Sequence, residues 1–204
     1  MDSQRVVTVK EVSLRANTAL FTGRFQPPSI AHVATVETIL CIWAHVAIGI
    51  SVPCQKTFVD SRWLPYFEVS RNRFSANASI FASEEVKRMW DAWIMFSNLN
   101  SRVTCSLAPR PYLPEFSLAY PSDKYDMVYP SLHESDSDGD RVKHELFPQL
   151  MDREIFLIDP PFRLHNTRIR ELVAMGRSWE EFIPCGAYDV FLEINGPKRI
   201  SVRS

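Results

Sequence analysis

Two short stretches of the chain carry the residue types that phosphate chemistry needs. The first is Thr22-Gly-Arg-Phe-Gln-Pro-Pro-Ser-Ile-Ala-His32. Gly23 lets the main chain pass close to an anion, and the helix that follows offers its free amides and positive dipole end. Arg24 adds a planar fork for bidentate, charge-assisted contact with phosphate. Ser29 and His32 lie three residues apart at the helix entrance, a spacing that turns both toward one pocket. Thr22, Phe25 and Gln26 complete the stretch as nucleotide-contact candidates. The second stretch is His165-Asn-Thr-Arg-Ile-Arg170. Here Asn166 or Thr167 caps a helix, and Arg170 sits on its first turn beside His165. Two helix starts bearing arginines form a clamp for a triphosphate, and such donors stabilise the charge that grows on a leaving pyrophosphate. No protein nucleophile is needed, because an acceptor's own phosphoryl oxygen can attack the α-phosphate.

The elements that must hold these stretches are read from apolar periodicity. A buried strand over 18–22 runs into the first loop, and Val33, Val36, Ile39, Leu40 and Trp43 predict a helix over 30–43. A second apolar run over 46–51 completes a strand–helix–strand unit, whose crossover favours a parallel sheet. Residues 54–82 predict a long loop with a short strand near Phe67. Ser83 is the expected N-cap of a helix with the stripe Val86, Met89, Trp90, Trp93 and Ile94. A strand over 102–107 leads into a proline-rich loop, with prolines at 109, 111, 114 and 121. A strand over 125–129, a solvated acidic loop over 134–140, a helix over 142–151 and a strand over 154–158 follow. The remainder predicts helices: one with Ile169, Leu172 and Val173 inward and Gly176 at its end, a short one opened by Ser178 with Glu181, and one over 186–194. The fold class is α/β. The expected division is an extension over 1–17, one domain over 18–194 and a tail over 195–204.

Composition narrows the function. The 204 residues are 46% hydrophobic and 23% charged, enough for one full core, with a net charge of −1. That balance argues against a nucleic-acid binder. Cys41, Cys54, Cys105 and Cys185 form no closely spaced pair and read as free thiols. No run reaches the roughly 18 apolar residues of a membrane span, and the start lacks a leader's apolar core, so the expectation is a soluble cytoplasmic protein. The sequence leaves the oligomeric state open.

Gly23-Arg-Phe-Gln-Pro27, followed five residues later by His32, resembles the G-R-F-Q-P-x-H-x-G-H signature of nicotinamide-nucleotide adenylyltransferases and their cytidylyltransferase relatives. The stretch 166–184 is similar to the same family's C-terminal S-x-T-x-I-R motif and trailing helix, with Trp179 and Pro184 in place. The resemblance implies a Rossmann-like nucleotidyltransferase fold, an NTP substrate carried with Mg2+, and pyrophosphate release. By that likeness Gly23, Arg24 and His32 hold phosphates, as do Thr167 and Arg170. Lys56, Arg71 or Arg73 would supply a further cation.

The chain departs from the pattern at three places. Ser29 and Ala31 stand where the signature has histidine and glycine. Tyr129-Pro-Ser-Leu132 replaces Tyr-Ser-Gly-Asn, and Tyr120 is the nearest candidate for an acceptor-stacking aromatic. These changes fall on the acceptor side. The main expectation is therefore transfer of CMP or AMP from CTP or ATP to a small phosphonate or phosphate, as in phosphonate natural-product pathways. The alternatives are NMN adenylylation to NAD and a non-catalytic nucleotide sensor. His45, His133 and His144 read as structural or solvated, Trp90 and Trp93 as core, and Asp159 as a turn residue rather than a magnesium contact.

Overall fold

Strand residues of the computed structural model point alternately to two buried faces. Ala19, Phe21, Val46, Ile48, Ile50, Val128, Phe156 and Ile158 enter one apolar cluster. Their neighbours Leu20, Ala47, Met127, Tyr129, Ile155 and Leu157 enter a second. Burial on both faces is what a parallel sheet with helices on each side requires. The structure describes residues 4–6, 16–52, 61–66, 68, 79–133, 138–151 and 153–203.

The strands are Gln4–Val6 (β1), Thr18–Gly23 (β2), His45–Ser51 (β3), Val103–Ala108 (β4), Tyr125–Pro130 (β5) and Ile155–Ile158 (β6). All pairings are parallel, in the order β1-β6-β5-β2-β3-β4. β1 adds an edge to β6 from within the stretch read as an extension; three residues are too few for periodicity to reveal. The helices are Ile30–Leu40 (α1), Ser83–Phe96 (α2), Pro114–Ala119 (α3), Asp138–Leu150 (α4), Asn166–Ala174 (α5), Ala187–Glu193 (α6) and Gly196–Arg203 (α7). Short 3-10 turns cover Ser61–Trp63 and Glu180–Phe182. The strand expected near Phe67 lies outside the described residues.

Several local expectations are corrected. Ser83 is the first helical residue of α2 and Ala82 its cap, because the Glu85 carboxylate accepts the Ala82 N–H at 2.8 Å. Helix α1 stops at Leu40, and Trp43 instead donates its indole N–H to the buried Asp126 at 2.9 Å. The proline-rich loop contains α3, with Pro114 in the first turn, where a missing amide costs nothing. The acid that closes the turn after Ser178 is Glu180, not Glu181; it accepts the Trp179 N–H at 2.8 Å. Helix α4 begins within the stretch read as a solvated loop; residues 134–137 lie outside the described ones. Gly176 does end α5, with φ +62. The tail folds as α7, burying Ile200 completely, while Arg199 bonds Glu85 at 2.7 Å and lies over the Phe81 ring.

Candidate active site

After β2 the chain builds β3 and β4 to one side, then returns to lay β5 and β6 on the other. The reversal leaves a crevice beyond the carboxyl ends of β2 and β5, where open α/β sheets bind ligands. A cavity of 260 Å³ occupies it. Its walls are Gly23 and Arg24 at the end of β2, His32 of α1, Pro130 and Ser131 at the end of β5, and Arg163 to His165 before α5. A second lobe of 170 Å³ continues toward β3 and β4, lined by Ser51, Tyr66, Arg110, Tyr112 and Phe147. Thr22, Gly23, Arg24, Tyr129 and Asp140 line both lobes. Together the lobes reach the range of about 300–1,000 Å³ usual for small-molecule sites.

The first loop is shaped by ring packing. A Cβ on Gly23 would sit 2.9 Å from the Phe25 ring, so glycine is required by that close approach. The left-handed backbone falls on Phe25 itself, with φ 48. The Phe25 ring packs edge-on against Phe21, Trp90 and His32, at 5.2, 5.3 and 5.0 Å. Gln26 lies outside the cavity lining: its amide donates to the Phe81 carbonyl at 3.0 Å and accepts the Phe81 N–H at 2.9 Å. Thr22 shares a 2.9 Å hydrogen bond with the Tyr129 hydroxyl, joining the ends of β2 and β5 beneath the cavity. Burial pushes the Tyr129 hydroxyl well above its ordinary pKa, so it stays protonated.

Ser29 caps α1 and is fully buried, outside the lining. His32 Nδ1 lies 3.1 Å from the Ser29 amide and 2.9 Å from Ser29 Oγ. Desolvation lowers the His32 pKa to about 4, so the imidazole is neutral at pH 7.

The second stretch meets the first through the candidates Asn166 and His165, and not through Thr167 and Arg170. The Asn166 amide donates to the Pro27 carbonyl at 2.8 Å, fastening the start of α5 to the first loop. His165, in extended backbone, takes the N-cap position assigned to Asn166 or Thr167, without a side-chain cap bond. Thr167 Oγ1 accepts from Arg170 at 3.0 Å, and the pair lies outside the cavity lining. His165 lines the cavity, and so does Arg163, which grips the Ser131 carbonyl and hydroxyl at 2.6 and 2.9 Å. Asp159 also bonds the Ser131 hydroxyl and stays outside the lining, in keeping with a turn role.

Sequence reasoning missed Tyr129, Asp140, His144 and Arg163, and in the second lobe Tyr66, Arg110 and Tyr112. Asp140 and His144 are one turn apart on α4, a spacing that could have revealed them had the helix start been placed correctly. His144, read as structural or solvated, is buried and lines the cavity. Arg110, only 8% exposed, donates to the Val52 carbonyl at 2.7 Å. Tyr120 is not at the cleft: it is buried in the second apolar cluster, its hydroxyl 2.8 Å from Ser106 Oγ. Lys56, Arg71 and Arg73 lie outside the described residues. Cys41, Cys105 and Cys185 are free thiols, and burial pushes Cys105 up to about 12. Among the described residues no group of three His, Cys, Asp or Glu is placed to hold a metal ion, and no helix is long and apolar enough to cross a membrane.

The topology, with a cleft at its switch point, is that of an open, doubly wound Rossmann-like α/β fold. No protein-family model matches the chain. It is 24% identical over 193 residues, 90% of its length and 92% of the relative's, to a nicotinamide-nucleotide adenylyltransferase of Pyrobaculum neutrophilum. Among solved structures it is similar to a Francisella tularensis bifunctional NMN adenylyltransferase/ADP ribose pyrophosphatase, complexed with AMP and a manganese ion. That likeness has TM-score 0.59 at 14% identity, over 93% of this chain and 52% of that one. A Vibrio parahaemolyticus protein assigned as a nicotinate-nucleotide adenylyltransferase gives TM-score 0.52 at 16% identity, over 86% of this chain and 97% of that one. The sequence likeness is thus to an adenylyltransferase, and the fold is the Rossmann-like one that these solved structures share.

Proposed function

We propose that the chain transfers AMP from ATP to a pyridine mononucleotide, nicotinamide or nicotinate, releasing pyrophosphate. The observation that carries this reading is a two-lobed cleft in which Arg24 lines both lobes. A guanidinium there can hold the donor's phosphates and the acceptor's phosphate at once, the alignment that an in-line displacement needs. In the larger lobe Arg24, Arg163, His32 and His165 would surround the triphosphate. In the smaller lobe Arg110 would take the acceptor phosphate, and Tyr66 or Tyr112 would face its ring. The acceptor phosphate oxygen bonds to the α-phosphorus as the bond to the β-phosphate oxygen breaks. Donors aimed at the departing pyrophosphate lower that barrier. Magnesium enters as part of the Mg–NTP substrate, and Asp140 is the described carboxylate lining both lobes.

The expectation of a small phosphonate acceptor rested on the departures at Ser29 and Ala31, at 129–132, and at the ring-stacking position near Tyr120. Tyr66 and Tyr112 in the second lobe answer the last of these, and the relatives are adenylyltransferases by name. The test is a substrate matrix: purified protein, Mg2+ and each NTP, with NMN, nicotinate mononucleotide or a phosphonate panel, followed by pyrophosphate release and product mass. The expected product is a dinucleotide formed from ATP and a pyridine mononucleotide. A CMP-phosphonate product would return the small-acceptor reading, and ATP binding without turnover on any acceptor would support a sensor.

A further inference from the structure

We propose that Ser29 is a positioning residue that fixes His32 as a neutral Nε2–H donor and makes no contact with the nucleotide. The inference deepens the proposed transfer reaction and rests on it for its kinetic consequence, though not for its structural one.

Ser29 has no exposed surface and does not line either lobe, so its hydroxyl cannot reach a phosphate. What it does reach is the near side of the His32 ring. The Ser29 backbone N–H lies 3.1 Å from Nδ1, and a backbone amide can only donate. An accepting Nδ1 carries no proton, so the neutral ring holds its proton on Nε2. Ser29 Oγ, 2.9 Å from the same nitrogen, must then donate as well. Two donors converge on Nδ1 and leave Nε2–H as the polar end of a ring that lines the larger cavity.

The surroundings keep the ring neutral. Phe25 meets it edge-on at 5.0 Å and Phe21 lies at 6.5 Å. The charged and titratable groups facing it across the cavity are Arg24 from the β2 loop, Asp140 and His144 from α4, and Arg163 and His165 before α5. Desolvation of the ring lowers its pKa to about 4. The serine thus works through the second imidazole and does not substitute for a missing first one. A neutral donor also has a functional advantage: it offers a phosphate oxygen a hydrogen bond without first taking up a proton.

Long-range 1H–15N spectra of the protein with labelled histidine test this without any substrate. At pH 7 His32 should show an unprotonated Nδ1 and a protonated Nε2, and should titrate only near pH 4–5. Ser29→Ala should raise that titration by about half a unit or more, because a donor that favours the neutral ring is lost. Ser29→Thr should restore it. With a working substrate pair, Ser29→Ala should lower kcat about tenfold or more, with the KM for ATP within about threefold. An Nδ1–H tautomer or an imidazolium at pH 7 in the unaltered protein would overturn the proposal, whatever the variants do. Absence of turnover on every acceptor would count against the reaction and leave the tautomer result standing.

Discussion

Arg24 is the arginine that lines both lobes, so on the proposed reading it faces the phosphates in each. Arg24→Ala should lower kcat/KM by about 10²–10³ while leaving the melting temperature nearly unchanged, as loss of one preorganised donor does. Arg170→Ala is the contrast. Its guanidinium bonds Thr167 outside the lining, so steady-state kinetics should fall by less than about fivefold. Ser29→His has no room for an imidazole at a site without exposed surface; it should lower stability in denaturant titration and should not raise the rate. His32 sets a pH dependence of stability. Its native pKa of about 4 lies below the ordinary 6.5, so between those values the unfolded chain binds the proton and the native chain does not. Stability should therefore fall as pH drops from about 6.5 to 4, and His32→Gln should flatten that slope. Arg24 and His32 were legible in sequence because a loop followed by a helix start limits where a phosphate group can sit. Arg110, Asp140, His144 and Arg163 were not, since each reaches the cleft from an element distant in sequence.

A hydrogen bond from the Asn166 amide to the Pro27 carbonyl joins the two phosphate-type stretches. Asn166→Ala removes that bond and also a buried Oδ1 that has no partner, so the two effects on stability oppose each other. Thermal unfolding should shift by no more than about 1 kcal/mol, while kcat/KM should drop about tenfold as the arms lose their register. Helix α7 is the other revealing element. It buries Ile200 and anchors α2 through Arg199, so deleting residues 196–204 should cost about 2–4 kcal/mol in denaturant titration. Strands with apolar side chains on both faces were readable from their uninterrupted runs. Short or unusual starts were not: Pro114 looked like a loop although it suits a first turn, and Ser83 looked like a cap although Glu85 satisfies the amide at 2.8 Å. Those choices turn on single hydrogen bonds, which periodicity does not register.

At the scale of the whole molecule, a chain of net charge −1 gathers Arg24, Arg110 and Arg163 at one end of its sheet. The strand order explains the location, because the chain leaves β2 toward β3 and β5 toward β6, in opposite directions along the sheet, and a crevice opens beyond their carboxyl ends. The fold class was legible from alternating strands and helices; the second lobe was not, because it draws Tyr66, Arg110 and Tyr112 from separate connections. The measurement that tests this account most directly is a crystal structure with a non-hydrolysable ATP analogue and magnesium. The triphosphate should lie in the 260 Å³ lobe, within hydrogen-bond distance of Arg24 and His32 Nε2, with the α-phosphate facing the second lobe. A nucleotide bound elsewhere, or one whose phosphates avoid Arg24, would contradict it.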